Sequence, residues 1–418
     1  MRLLVVSQYF WPENFRINDL AAELVARGHS VTVLTGVPNY PEGAVYPPYQ
    51  AQPAQFAHHA GARIVRVPML ARGRGSLRLV LNYLSFALSA SLLGPWRLRG
   101  EHFDALLAYE PSPITVGLPA AVLRAVKRAP LAFWVLDLWP ETLQAIGVVR
   151  ARWILGLVGQ LVRFIYRRCD LILAQSRSFI PQIRRYADMA TPVDYFPNWA
   201  EALFADAGVE RAPEVPLQPG SFDVMFAGNV GDAQDFPAIL DAAERLRAEP
   251  GIRWLIVGDG RLSGWVADQV VRRGLQRQVL LLGRHPVERM PSFFRHAGAL
   301  LVSLKKEPIF AMTIPGKLQS YLAAGVPVLA MLDGEGADVV RAAGCGLACP
   351  AGDAQALADA VRTLAAMTPA QRQAMGDNGR RASAREFDRG LLIGQLEAQL
   401  LALAGGARGE SLLARGAP

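Results

Sequence analysis

Lys317 stands one residue inside a segment that opens with Pro315 and Gly316 and closes with Gly325, shortly after the apolar run Leu300–Leu304. Pro315 suits the start of a helix, where a missing N–H costs nothing, and Gly325 suits a left-handed end. The N-terminus of such a helix, placed after a buried strand, presents unpaired N–H groups and partial positive charge. A lysine in the first turn adds a full charge, and together they favour an anion. The plainer alternative is an ordinary strand-to-helix connection with a solvated lysine. Asp137 follows the apolar run AFWVL, so its carboxylate should emerge at a strand end. There it could serve acid–base or hydroxyl-binding chemistry, or cap a helix beginning near Trp139. Glu110 in EPSP and Glu141 in DLWPE could orient a substrate or be plain loop carboxylates, and Asn14 and Arg16 end the loop Gln8–Arg16. Farther along, Gly228, Asn229, Gly231 and Gln234, then Gly258 and Gly260, then Arg284 after Gly283, follow further apolar runs. Glycine lets a backbone approach a ligand closely, although glycine after a strand is also routine turn chemistry. Several such loops on one sheet edge outweigh any one of them.

The elements that must hold these residues alternate. Apolar strands are expected at Arg2–Val6, His29–Thr35, Arg63–Val67, Asp104–Ala108 and Ala132–Leu136, with a helix over Asn18–Arg27 stopped by Gly28. The pattern repeats at Val224–Ala227, Trp254–Val257, Val279–Leu282, Leu300–Ser303 and Val328–Met331. Strands separated by helix-length segments indicate parallel βαβ units. Thr191–Ser221 carries five prolines and little periodicity, which marks a linker. The expected organisation is α/β: a first Rossmann-like domain over residues 1–200, a second over 201–385, and a C-terminal helix and tail over 386–418 that packs back on the first. In open α/β sheets ligands sit beyond the carboxyl ends of the strands, the edge on which all these candidates lie.

Composition narrows the chemistry. The 418 residues are 51% hydrophobic and 19% charged, a globular balance, and a net charge of +8 points to an anionic partner. Cys169, Cys345 and Cys349 make no disulfide framework, which fits a reducing cytoplasm. The four-residue Cys345–Cys349 spacing lacks further ligands, so no metal site is expected. No GxGxxG or GxxxxGK[ST] follows a strand, against a dinucleotide dehydrogenase or P-loop nucleotidase. Arginines spread without an aromatic-interleaved patch speak against nucleic acid.

MRLLVVSQYFWPENFRINDLAAELVARGHSVTVLTGVPNYP, FAGNVG…Q, LIVGDG and TIPGKLQSYLAAGVPVLA together resemble the retaining glycosyltransferases with two Rossmann-like domains facing each other across a cleft (GT-B, family-4-like). More narrowly, they resemble the bacterial exopolysaccharide and O-antigen members of that family, such as the fucosamine and colanic-acid transferases. The resemblance implies that the second domain binds a nucleotide sugar as donor substrate, with no cofactor. The first domain then binds the acceptor, and chemistry occurs in the cleft without a metal. Gly228, Asn229, Gly231, Gln234, Gly258, Gly260, Arg284, Pro315, Lys317 and Ser320 become donor-side candidates, with Asn14, Arg16, Glu110 and Glu141 on the acceptor side. Asp137 and Lys317 become catalytic candidates. Most members carry two glutamates where this chain has Met312 and Ser320, so the ribose contact falls to Ser320 or Gln319. Their Arg and Lys after the glycine-rich strand are replaced by Asn229, Asp232 and Gln234, leaving Lys317 and Arg284 as cations for the diphosphate.

Two stretches bear on location. Leu79–Trp96 holds no charge and lies between Arg72, Arg74 and Arg78 on one side and Arg97 and Arg99 on the other. An interfacial or loosely buried helical hairpin is expected there in preference to a membrane span, which would cut the sheet. Arg150–Arg168 mixes tryptophan, apolar residues and arginines, as in a basic helix resting on anionic lipid, or else a solvated helix face. The expectation is a peripheral enzyme on the cytoplasmic face of the inner membrane, acting on a lipid-linked sugar. A nucleotide-sugar epimerase of the same architecture is the alternative.

Overall fold

A computed structural model describes residues 1–73, 75–145, 151–205 and 208–406. Arg74, Arg150 and the last part of the expected tail lie outside the described residues. Two compact units are present: Met1–Phe196 joined by the described residues from Gly390 on, and Pro197–Arg389. The change of unit therefore falls at 196/197 and 389/390, against the expected 200/201 and 385/386.

The first unit is built on β1 (Arg2–Ser7), β2 (Ser30–Thr35), β3 (His58–His59), β4 (Ala62–Arg66), β5 (Ala105–Glu110), β6 (Leu131–Val135), β7 (Leu171–Ala174) and β8 (Val193–Tyr195). Their order across the sheet is β3-β4-β2-β1-β5-β6-β7-β8, parallel apart from β3 on β4. All six residues of β5 and five of β1 are buried, as a sheet covered on both faces requires. Thr191–Ser221 is thus not wholly a linker: its first residues supply β8, whose three positions are too few for any periodicity to show. The helix Arg389–Ala404 returns to this unit, where Glu397 accepts from Arg27 at 2.9 Å and meets His29 at 2.6 Å.

The second unit has β9 (Phe222–Ala227), β10 (Ile252–Val257), β11 (Val279–Gly283), β12 (Ala299–Ser303), β13 (Val328–Met331) and β14 (Gly346–Cys349), all parallel, in the order β11-β10-β9-β12-β13-β14. Strands β9 and β10 are buried along their whole length, yet carry Asp223 and Arg253. These two are register partners and close a bidentate pair at 2.6 and 2.7 Å, which compensates both charges.

The uncharged stretch is one continuous helix, Ser76–Arg97, and not a hairpin. Asn82, Phe86, Ala87, Ala90 and Gly94 form its buried stripe against the helix Gly117–Lys127 and β2. It is long and apolar enough to cross a membrane, yet Asn82 ties it to this unit by accepting from Gln8 at 2.8 Å. The basic stretch forms the helix Arg152–Tyr166.

Candidate functional site

In the second unit, the strand-end loops interlock through glycine. Gly228 ends β9 with φ 135° and Gly258 ends β10 with φ 142°, a region open in practice to glycine alone. A Cβ on Gly258 would lie 1.9 Å from the Gly228 carbonyl oxygen, and one on Gly228 would lie 2.6 Å from Lys317 Cε. A Cβ on Gly260 would meet the Val230 carbonyl at 2.4 Å. The two loops are laced by Val230 N to Asp259 O and Leu262 N to Val230 O, both 3.0 Å. Asn229 and Gln234 crowd Gly231, whose amide donates to Gln234 Oε1 at 3.2 Å. Gly228, Asn229, Gly231, Gln234, Gly258, Gly260 and Lys317 are therefore one cluster.

Lys317 is placed by the helix Gly316–Ala324, which has Pro315 at its N-cap and ends on Gly325 at φ 66°. Its Nζ sits 3.6 Å from the centroid of the Phe226 ring, a cation–π contact at the base of the glycine loops. Burial lowers its pKa to about 7. Tyr321, one turn on, locks the helix to β9 by accepting from Ala227 N at 3.0 Å and donating to Ala227 O at 3.1 Å. Arg284 lies outside this cluster, 67% exposed and 3.9 Å from Asp259. Gln319 is buried, and its side-chain amide lies against the carbonyls of Pro315 at 2.9 Å and Gly316 at 3.0 Å, two acceptors that call for its nitrogen on that side. Ser320 donates to Glu201 Oε2 at 3.0 Å. Sequence reasoning missed Glu201, because nothing local ties a residue in a proline-rich segment to a helix so far along the chain.

In the first unit, Glu110 ends β5 and Asp137 follows β6 on the carboxyl edge of the sheet. Asp137 accepts from Trp139 Nε1 at 3.1 Å and from the Thr142 hydroxyl. Burial pushes its pKa up to about 6 against these bonds and one from Ser112. Its carboxylate is therefore held by Trp139 of its own loop, by Thr142 in the helix that follows and by Ser112 from the loop after β5, and that helix begins at Glu141 rather than Trp139. Glu141 keeps one buried oxygen without a hydrogen-bond partner among the described residues. Glu110 is wholly buried, which removes it from direct contact with an acceptor. Arg16 opens the helix Arg16–Ala26 beside the Tyr109 hydroxyl, and Asn14 is exposed. Glu13 was also missed in sequence. It is buried and accepts from the amides of Asn39 and Tyr40, each at 2.7 Å, and Phe10 at 3.2 Å, pinning the loops after β1 and β2 together. Burial pushes its pKa up to about 7. Its neighbour Asn14 drew attention as a loop polar group, but which of the two turns inward is decided by packing. Among the described residues no group of three or more His, Cys, Asp and Glu is placed to hold a metal ion.

Two Rossmann-like α/β units, one with a lysine beneath interlocked glycine loops, define the class of two-domain glycosyltransferases. Residues 14–199 match the glycosyl transferase 4-like domain and residues 221–367 match glycosyl transferases group 1. The chain is 27% identical over 340 residues to the putative colanic acid biosynthesis glycosyl transferase WcaI of Escherichia coli K12, covering 78% of this chain and 82% of that one. It is 22% identical to the glycogen synthase of Mycobacterium tuberculosis over 93% of its length and 91% of that protein's. Among solved structures, sucrose-phosphate synthase from Thermosynechococcus elongatus aligns with a TM-score of 0.71 at 18% identity over 96% and 99% of the two chains. Anabaena HepE, solved with UDP and glucose, aligns at 0.67 and 14% over 96% and 100%. At these identities the structures establish the fold. The chain belongs to the GT-B glycosyltransferases, with a family-4-like first half and a group 1 second half.

Proposed function

We propose that this glycosyltransferase moves a sugar from a nucleotide sugar to a lipid-linked or polysaccharide-precursor acceptor during assembly of a bacterial surface polysaccharide. In this reading transfer proceeds with retention and requires no cofactor or metal beyond the donor. The observation that carries it is Lys317, enclosed by Gly228 and Phe226 at the start of a helix on the strand-end edge of the second unit. Breaking an anomeric bond to a nucleoside diphosphate leaves negative charge on the departing phosphate. Preorganised amides and a cation stabilise that charge best where water is excluded. Lys317, the first amides of its helix and the amides of the Gly228 and Gly258 loops can do so, while Asp137 works on the acceptor side. Arg284 reaches the rim of such a ligand, and Ser320 with Glu201 offers a hydroxyl and a carboxylate to a ribose.

A membrane setting is supported by the outer surface of the first unit. The helix Ser76–Arg97 packs on Gly117–Lys127, which in turn packs on Arg152–Tyr166. The first of these exposes Leu77, Leu84, Leu88, Leu92 and Trp96, and the last exposes Trp153, Leu157 and Phe164. Arg99 lies over the Trp96 ring and Arg168 over the Phe164 ring. Apolar side chains beside arginines suit the boundary between lipid headgroups and acyl chains, which supports attachment to a membrane surface, in our reading the cytoplasmic face of the inner membrane.

Calorimetric titration with UDP, GDP and dTDP, followed by transfer from the matching nucleotide sugars to a lipid-linked sugar in vesicles, tests the reading. We expect binding of one diphosphate and sugar transfer that depends on the acceptor lipid. Absence of binding by all three, or equal turnover with and without lipid-linked acceptor, would overturn it.

A further inference from the structure

Two carboxyl-bearing residues, Glu110 and Asp137, stand at the ends of adjacent strands in the first unit, close enough for the charge of one to raise the pKa of the other. Glu110 is paired in register with Val135, two residues before Asp137. The Leu136 amide donates to the Glu110 carbonyl at 3.1 Å, and the Asp137 amide donates to Glu110 Oε2 at 3.4 Å. Glu110 has no exposed surface, and its Oε1 has no hydrogen-bond partner among the described residues. Asp137 is half-buried and Glu110 wholly so; of two neighbouring carboxyls the one shut away from water is the one that keeps its proton.

The donors decide which. Asp137 receives bonds from Trp139, Thr142 and Ser112, and each favours its charged form. Glu110 receives backbone amide contacts only, and no basic side chain pairs with it among the described residues. The other titratable groups around the pair are Tyr109, itself beside Arg16, and Tyr166 from the helix Arg152–Tyr166, with Glu141 also near. Tyr83, which shares Ser112 with Asp137, stands near Arg72. Burial holds the Tyr166 hydroxyl protonated and neutral, so it adds no charge beside the pair.

We propose that Glu110 is a positioning residue that works through Asp137: a neutral carboxyl that carries the Asp137 backbone amide and leaves Asp137 as the ionised member of the pair. The inference rests on the assignment of Asp137 to the acceptor side. Burial, and then the adjacent Asp137 carboxylate, push Glu110 well above its ordinary range, in the direction the geometry requires.

Carboxyl carbon NMR on the wild-type chain tests it without any substrate. The Glu110 signal should stay in its protonated position well past the ordinary carboxylate range and beyond the pH at which Asp137 titrates. Turnover gives the second arm, using the nucleotide sugar selected in the binding experiment above. Glu110→Ala should lower kcat about tenfold to a hundredfold through misplacement of Asp137, with donor KM little changed. Glu110→Gln, neutral and of the same shape, should recover most of that loss. A Glu110 signal that titrates before that of Asp137, or a Glu110→Gln variant as damaged as Glu110→Ala, overturns the inference even if Asp137→Asn is inactive. An Asp137→Asn variant with ordinary turnover instead overturns the assignment of Asp137, and with it any route from Glu110 to kcat.

Discussion

The ammonium of Lys317 rests 3.6 Å from the Phe226 ring centroid, directly under the backbone of Gly228. Among the described residues no carboxylate pairs with this lysine, and burial alone accounts for its lowered pKa of about 7. Near neutral pH it is therefore poised between charged and neutral forms, and in the proposed reading an arriving diphosphate favours the charged one.

Lys317→Ala should weaken nucleoside diphosphate binding about ten- to hundred-fold, the worth of a charge-assisted contact, with the fold intact. The pH dependence follows from the sign of the shift. Below pH about 7 the lysine is already protonated, so affinity should be flat in its contribution. Above that value binding must take up a proton, so affinity should fall as pH rises, with proton uptake visible when calorimetry is repeated in buffers of different ionisation enthalpy. The same depression weakens the fold below about pH 7, and this cost fades as pH rises toward the ordinary lysine value of 10.5. Unchanged affinity in Lys317→Ala, or no proton uptake above neutral pH, contradicts this assignment.

Gly258→Ala should be poorly tolerated. Its backbone sits at φ 142° and the new Cβ would overlap the Gly228 carbonyl. The strain alone costs about 1–3 kcal/mol, and relief by shifting the loop would open the space around Lys317. Thermal unfolding should show the loss of stability, and diphosphate titration the loss of affinity. Gly264 is the control: it lies in the helix Ser263–Arg272, and an added Cβ meets nothing within 4 Å. Gly264→Ala should be neutral or stabilising by up to about 1 kcal/mol. Equal behaviour of the two variants would refute the packing argument.

Flotation with anionic liposomes addresses the membrane surface. Wild type should float, and loosen as salt shortens the screening length toward about 3 Å at 1 M. Arg163→Glu with Arg168→Glu should float poorly, and Leu88→Gln with Leu92→Gln should lose the component that survives salt. Arg167 is better left in place, since it pairs with Asp188 at 3.0 Å. If charge-reversed and wild-type chains float equally, the basic helix has no part in attachment. Resistance to both salt and alkaline extraction would instead favour a span through Ser76–Arg97.

The sequence by itself determined the alternation of strands and helices, the glycine-bearing strand ends and the Lys317 helix. Each of these is written locally: apolar runs of strand length, proline before a helix, glycine where the backbone needs positive φ. The Gly316–Ala324 helix has the bounds that Pro315 and Gly325 imply, and β13 matches its expected limits. Only the tertiary structure decided what each polar side chain meets. Asp137 and Glu110 are 27 residues apart and become neighbours because β6 lies beside β5 in the sheet order. Ser320 and Glu201 are 119 apart, and Glu13 reaches amides at 39 and 40 across β1 and β2. Hydrophobic period records which face of an element is buried, not which element covers it, so partnerships made across the sheet leave no local mark. Glu110 shows the consequence: in sequence it is one more carboxylate at a strand end, and only the packing around it makes it a neutral acid beneath Asp137.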